Sequence, residues 1–187
     1  MKAVQLATIL IAGSRIASGG VPPLPLLFET TETGYIARTR GGSVSVDSKG
    51  AVLRSETGAV RLELQGATAV RPVPESPLDS VSNYLRGPDP AQWRSRVQHF
   101  GKVRSRSVYP GVDLVYYGRE GEVEYDFVLA PGASARRIAM RVRGASKLKL
   151  DPTGALVIET PSTTFRQLRP VAYQLASDGR HESVEVS

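Results

Sequence analysis

Cysteine is absent from the 187-residue chain, and histidine occurs only at His99 and His181. The first absence excludes disulfide bonds, a thiolate nucleophile and zinc sites built on cysteine. The second absence leaves too few imidazoles for a histidine-rich metal centre, and neither histidine has other ligands at the usual spacing. We therefore predict no cofactor, and catalysis by a Cys–His pair is excluded.

Sequence signatures of common catalytic and nucleotide-binding sites are also missing. The chain contains no G-x-S-x-G, no Walker lysine loop, no dinucleotide G-x-G-x-x-G and no H-E-x-x-H. These motifs place nucleophiles, phosphates or metals, so their absence removes the usual sequence basis for such activities. We predict a protein that is not an enzyme.

Short alternating segments and many turn residues take the place of long helical periods. The chain has 18 glycines and 13 prolines, which favours turns between strands. We predict one all-β domain, an antiparallel β-sandwich-like fold with one short helical turn. That turn is expected at Asp89, Pro90 and Gln92, with Trp93 in the core beneath it. The proline-rich segment 71–77 is predicted to be a connector.

The positive charge of the chain is spread rather than clustered. The net charge is +6, and arginines occur from Arg15 to Arg180, unlike the footprint of a dedicated nucleic-acid binder. We therefore predict no nucleic-acid partner. The stretch from Arg94 to Arg106, with Phe100 interleaved and Trp93 before it, has two interpretations. It could clamp a single strand or an acidic glycan, or it is the solvated face of a strand.

The first nineteen residues have the pattern of a secretory signal peptide. A basic start precedes an apolar run from Ala3 to Gly13, and small residues follow, with cleavage expected after Gly19. This run is too short to span a bilayer, so no membrane span is predicted. A buried strand or helix is the alternative interpretation of the same run. Export would leave a single domain at residues 20–187.

The segment YPGVDLVYYGREGEVEYDF, residues 109–127, predicts a hairpin rich in carboxylates and tyrosines. A turn centred on Arg119 and Glu120 would place Asp113 opposite Asp126. The two-residue period predicts a dry face and a wet face. The dry face collects Val112, Leu114, Tyr116, Val123, Tyr125 and Phe127, and the wet face collects Asp113, Val115, Tyr117, Glu122, Glu124 and Asp126.

Opposed carboxylates at Asp113 and Asp126 would repel each other, and three arrangements remain open. One is an ion-paired or solvated face, with Arg137, Arg141 and Arg143 as partners if their strand lies next in the sheet. Another is a Ca²⁺ site at Asp113 and Asp126 in a calcium-stabilised glycan-binding module. The last is a carbohydrate-active enzyme that uses these carboxylates, although directly opposed strand residues lie closer than that chemistry requires.

Four pieces of the chain carry a family resemblance. They are N-Y-x-x-G-x-D-P-x-x-W from Asn83, V-Y-P-G-V-D-L-V-Y-Y-G from Val108, E-Y-D-F-V-x-A-P-G-A from Glu124 and L-R-P-V-A-Y-Q from Leu168. Together they resemble an uncharacterised domain at the N-terminus of bacterial cell-surface proteins with SBBP-type β-propeller repeats.

This resemblance implies an extracellular or cell-surface module without enzymatic activity, and it transfers no catalytic residues. Members of the family continue past the last hairpin into further strands and then the propeller repeats, whereas this chain ends at Ser187. We therefore expect a secreted surface or interaction module, truncated at its C-terminus. Its expected partner is a downstream β-propeller repeat region or a surface assembly.

Overall fold

The computed structural model describes residues 4–12, 26–39, 41–119, 121–175 and 181–184. These residues form strands joined by tight turns, with two short 3₁₀ turns at Pro90–Gln92 and Ala135–Arg137. The strands are β1 (Val4–Ala12), β2 (Phe28–Thr30), β3 (Tyr35–Thr39), β4 (Gly42–Asp47), β5 (Gly50–Arg54), β6 (Ala59–Leu64), β7 (Val73–Tyr84), β8 (Arg94–Tyr109), β9 (Val112–Arg119), β10 (Glu122–Leu129), β11 (Met140–Arg143), β12 (Lys147–Leu150), β13 (Leu156–Glu159), β14 (Thr164–Gln167), β15 (Val171–Leu175) and β16 (His181–Val184).

Neighbouring strands of the fold pair antiparallel. The hydrogen-bonded order is β11-β6-β5-β4-β3-β2-β8-β9-β10-β1-β14-β13-β12, with β7 beside β8, β15 beside β1 and β16 beside β15. Strands β12 to β14 form a small sheet that joins the larger, curled one through β1. The predicted all-β antiparallel class is therefore confirmed.

Contacts between strands far apart in this order show that the sheet curls. The hydroxyl of Tyr125 in β10 lies 3.9 Å from the sulfur of Met140 in β11, the strand that begins this order and is separated from β10 by seven others. The hydroxyl of Tyr109 lies 2.9 and 3.1 Å from the carbonyl oxygens of Gln65 and Ala139. Tyr109 and Tyr125 belong to one hydrophobic cluster and Met140 packs against it, so the described part of the curled sheet encloses a single core.

The predicted dry face of the β9–β10 hairpin forms much of this core. Its six residues, Val112, Leu114, Tyr116, Val123, Tyr125 and Phe127, are each at most 5% exposed. The ring of Tyr125 contacts those of Tyr116 and Phe127, with centroids 5.6 and 6.0 Å away. The dry face is therefore confirmed.

The turn of this hairpin comes one residue later than predicted. Val115, and not Asp113, lies opposite Asp126. The reason is Gly121, whose φ of 83° supplies the left-handed conformation that a two-residue hairpin loop requires. The predicted register is therefore wrong by two residues. Because the side-chain period is also two, every residue keeps its predicted face.

The proline-rich segment predicted to be a connector is instead the start of strand β7. Pro74 lies opposite Val103 and Pro77 opposite Phe100, both in β8. Among the described residues β7 pairs only with β8, so it is an edge strand. An edge strand tolerates proline because the missing N–H can face away from the neighbouring strand.

The arginine stripe is not the neighbour of the acidic hairpin. Arg141 and Arg143 lie in β11, which pairs with β6, and Arg137 lies in the second 3₁₀ turn. The guanidinium of Arg143 bonds to the Glu63 carboxylate of β6. The condition for ion pairing of these arginines with Asp113 and Asp126 is therefore not met, because chain order does not determine strand order.

Part of the predicted signal peptide forms a strand. Val4–Ala12 pairs antiparallel with β10 on one side and with β15 and β14 on the other. The expected cleavage site after Gly19 lies outside the described residues. Export therefore stays a prediction.

Core and surface leucines allow a matched test of this fold. Replacing Leu114, which is 1% exposed, by alanine should lower the free energy of unfolding by about 2–5 kcal/mol through lost burial and a cavity. The same replacement at Leu150, which is 72% exposed, should change it by less than about 0.5 kcal/mol. Urea unfolding followed by circular dichroism measures both, and equal losses would contradict the assigned core.

Candidate functional site

Strands β7 and β8 form a long hairpin whose outer part, residues 78–98, is exposed or half-buried throughout. We call this part the β7–β8 arm. Its loop contains the predicted helical turn, capped by the Asp89 carboxylate, which accepts from the N–H of Ala91 at 2.9 Å. Trp93 is 39% exposed, and its indole N–H donates to the carbonyl of Gly87 at 3.1 Å. Its predicted core position is wrong, because the loop lies beyond the core.

A buried carboxylate lies beside the arm. Glu29 in β2 is only 6% exposed. The hydroxyl of Tyr84 lies 2.7 and 2.6 Å from its two oxygens, and an N–H of Arg38 donates to Oε2 at 2.9 Å. A buried charge requires such compensation. Glu29 therefore fixes one tyrosine and one arginine in place.

His99 is buried next to this carboxylate. The Oγ atoms of Ser80 and Ser82 lie 2.9 Å from its Nδ1 and 2.8 Å from its Nε2, and Nε2 is 3.5 Å from Glu29 Oε1. A serine–histidine–carboxylate relay needs the serine and the carboxylate on opposite ring nitrogens. Ser82 shares Nε2 with Glu29, and 3.5 Å is too long for the bond that a relay through Ser80 would need. This geometry fits an imidazole held by its neighbours.

Three guanidinium groups surround the ring of Tyr84. The Cζ atoms of Arg38, Arg86 and Arg94 lie 5.5, 5.9 and 5.8 Å from the ring centroid, within the range of cation–π attraction. We call these four residues the arginine–tyrosine site. Among the described residues only one ion pair involves these three guanidinium groups, that of Arg38 with the buried Glu29, so positive charge is in excess.

A depression of about 450 Å³ adjoins the site. It is lined by Thr30, Thr31, Glu32, Thr33 and Arg94. Arg94 belongs to both features, and its guanidinium donates to the carbonyl of Thr30 at 2.9 Å. The depression thus combines hydroxyl groups with the positive charge of Arg94 and the carboxylate of Glu32, a lining that suits a polar ligand rich in hydroxyl groups.

Hydrogen bonding determines the protonation states in the site. Burial by itself would raise the pKa of Glu29, but the hydrogen bonds from Tyr84 and Arg38 and the charge of Arg38 hold it below its ordinary value of 4.5. Burial, and then the bond to Glu29, raise the pKa of Tyr84. At neutral pH the carboxylate is therefore charged and the phenol remains a donor.

The carboxylates singled out in the sequence do not form a pair. Asp113 receives an N–H of Arg104 at 3.2 Å and the backbone N–H of Ser107 at 2.7 Å. Asp126 receives the hydroxyl of Tyr117 at 3.1 Å. Each acid therefore has its own partners. Among the described residues no group of three acidic, histidine or cysteine side chains is arranged to hold a metal ion.

The predicted wet face of the hairpin is partly buried. Glu124 and Asp126 are 3% and 4% exposed. The burial of Tyr173 in β15, and then the charges of Asp126 and Glu124, raise the pKa of Tyr173. The prediction of solvation is wrong at these two positions. A two-residue period separates the faces of a sheet but does not show what packs on each face.

Sequence reasoning found only one part of the arginine–tyrosine site. Arg94 opens the basic stretch that was considered for glycan binding, and Tyr84 belongs to a motif of the family resemblance. Neither Glu29 nor Arg38 was predicted as a site residue, because they lie 55 and 46 residues before Tyr84 in the chain. Their approach depends on the pairing of β2 with both β3 and β8.

The pKa of Glu29 gives a pH-dependent test. Since the folded-state pKa is lowered, the unfolded chain binds the proton more tightly, and stability falls as pH decreases from about 5 through the folded-state pKa. Glu29→Gln should remove this component and cost about 1–3 kcal/mol at pH 7. Urea unfolding between pH 7 and pH 3 measures both effects. The exposed Glu32→Gln is the control, and an equal loss there would contradict the assignment.

No curated protein and no solved structure matches the chain. Among the described residues, no helix has the length and apolar character needed to cross a membrane. A family model matches residues 26–187, which include the whole β7–β8 arm and the core. The chain therefore belongs to a family described as a domain of unknown function, DUF7948.

Proposed function

We propose that this protein is an exported, non-catalytic surface module that binds the anionic groups of an acidic polysaccharide through the arginine–tyrosine site. The observation that carries this proposal is the placement of Arg38, Arg86 and Arg94 around Tyr84. Guanidinium groups bind carboxylates, sulfates and phosphates through charge-assisted hydrogen bonds. Only Arg38 is drawn towards the buried Glu29.

The surroundings of Tyr84 favour a glycan over a nucleic acid. Binding of single strands depends on bases that stack on aromatic rings. Here guanidinium groups lie over the Tyr84 ring, so that ring is a support for arginines and not a platform for bases. The adjoining depression is lined mainly by threonines, whose hydroxyls suit the hydroxyl groups of a sugar.

Binding without catalysis is the role that this geometry supports. Glu29 already accepts hydrogen bonds from Tyr84 and Arg38. Its carboxylate is therefore a poor general base. His99 is only 4% exposed and lies between two serines. Because Glu29 and His99 are hydrogen-bonded to their neighbours, they keep the site rigid, and rigidity lowers the entropic cost of binding.

The resemblance to N-terminal domains of bacterial surface proteins supports the proposed location. In this proposal a leader is removed after Gly19, and the module works outside the cell. Its partner in the same assembly is a β-propeller repeat region. The net charge of +6 favours attraction to acidic surface glycans at a distance.

Calorimetric titration with oligogalacturonate tests the proposal. The unsubstituted protein should bind this polyanion at low ionic strength and lose affinity as salt is added. Arg86→Gln and Arg94→Gln should each weaken binding by about tenfold, the equivalent of one lost charge-assisted hydrogen bond of about 1.4 kcal/mol. Arg38 is left unchanged because its loss would also disturb Glu29.

Two controls make this titration specific. Arg136→Gln removes an exposed positive charge of the second 3₁₀ turn and should leave binding nearly unchanged. A neutral glucan oligomer of equal length should not bind. Equal weakening by all three substitutions, or equal binding of both glycans, would contradict an anion site around Tyr84.

A further inference from the structure

Strand β1 joins the two parts of the sheet. Strand β10 pairs with β9 on one side and with β1 on the other. Among the described residues, β14 pairs with β13 and β1, and β15 pairs with β1 and β16. The hydrogen-bonded ladder of β2 to β11 therefore reaches β12 to β16 only through β1.

This connecting strand lies outside the family domain. The family match begins at residue 26, whereas β1 is Val4–Ala12. The domain thus supplies the two edges that flank the position of β1, on β10 and on β15, but not the strand between them. Open strand edges present unpaired N–H and C=O groups, which makes them templates for another strand.

The register defines the chemistry of a suitable occupant. Three apolar residues of β1 lie opposite core residues of β10 that are at most 5% exposed. The pairs are Leu6 with Phe127, Ile9 with Tyr125 and Ile11 with Val123. An occupant therefore needs apolar residues at these register positions, and it needs to run antiparallel to β10.

From this topology we propose that the position between β10 and β15 is a strand-acceptor site. Val4–Ala12 fills it before export, and an extended apolar strand of a partner polypeptide fills it afterwards. The second half of this statement rests on the proposed function, since it requires removal of the leader. In strand addition, main-chain hydrogen bonds supply affinity and alternate side chains supply specificity.

An unfilled acceptor site is unfavourable for two reasons. The edge of β10 would carry unpaired backbone groups beside Tyr125 and Phe127, which belong to the core. The strands β12 to β16 would lose their ladder to the rest of the sheet. Both effects favour capture of a replacement strand once the leader has gone.

Refolding in competition with a peptide tests the acceptor site. The full chain, with a protease recognition sequence inserted after Gly19, is folded, cut, unfolded in urea and refolded with about tenfold excess of a fluorescent peptide of sequence VQLATILIA. Because labelled and unlabelled strands compete by mass action, roughly nine in ten refolded molecules should carry the label. Gel filtration with fluorescence detection measures this fraction, and the uncut chain is refolded in parallel.

A peptide with one substitution is the matched control. The I9D peptide has the same length but has aspartate at the register position opposite Tyr125, which is 1% exposed. It should label fewer than roughly one in ten molecules because pairing a charged residue with the apolar core strand is costly. Equal labelling by both peptides would overturn the proposal, and so would absence of label on the cut chain under conditions in which the uncut chain recovers its folded state. A discrete dimer without bound peptide would identify a second copy as the occupant and overturn the assignment to a partner.

Failure of the acceptor site and failure of the proposed function give different results. Peptide capture is measured without any glycan, and glycan binding is measured on the uncut chain. N-terminal sequencing of the protein secreted by a bacterial host should show a start at Gly20. An intact N-terminus would contradict export, and with it capture from a partner, but strand exchange in vitro would still establish the acceptor site.

Discussion

Strand β8 is the element on which both the core and the candidate site depend. Its sixteen residues run from the exposed arm into the apolar layer, where Val103 is fully buried. It pairs with β7 along one edge and with β2 and β9 along the other. A bulge at Ser107, with φ of 51°, adjusts its course near the core end. Because one backbone serves both regions, packing of the core end also orients Arg94 and His99.

The Glu29 carboxylate explains how several arginines can gather around one ring. Like charges repel, and long side chains lose rotamer freedom when they are held in place. A buried anion offsets part of that repulsion and fixes Arg38 and Tyr84 directly. Tyr84 then offers the electron-rich face of its ring to the other two guanidinium groups. The four residues of the arginine–tyrosine site are therefore held together with the help of one buried acid.

Local patterns predicted what depends on the two-residue period and missed what depends on distant pairing. The dry face of the β9–β10 hairpin was predictable because alternation survives a register error of two residues. The error itself came from the conformational demand of the turn at Gly121. Burial of Glu124, the pairing of β11 with β6 and the meeting of Glu29 with Tyr84 all depend on strand order, which alternation does not encode.

The same strand order separates the two proposed sites. The arginine–tyrosine site uses Arg38 of β3 and three residues of the β7–β8 arm, with Glu29 of β2 beside them, whereas the acceptor position lies between β10 and β15. Strand β9 stands between these groups and pairs with β8 and β10. Exchange of the strand in the acceptor position therefore leaves every ladder around Glu29 intact. In our proposals the module holds a glycan at the arginine–tyrosine site while a partner strand completes the sheet between β10 and β15.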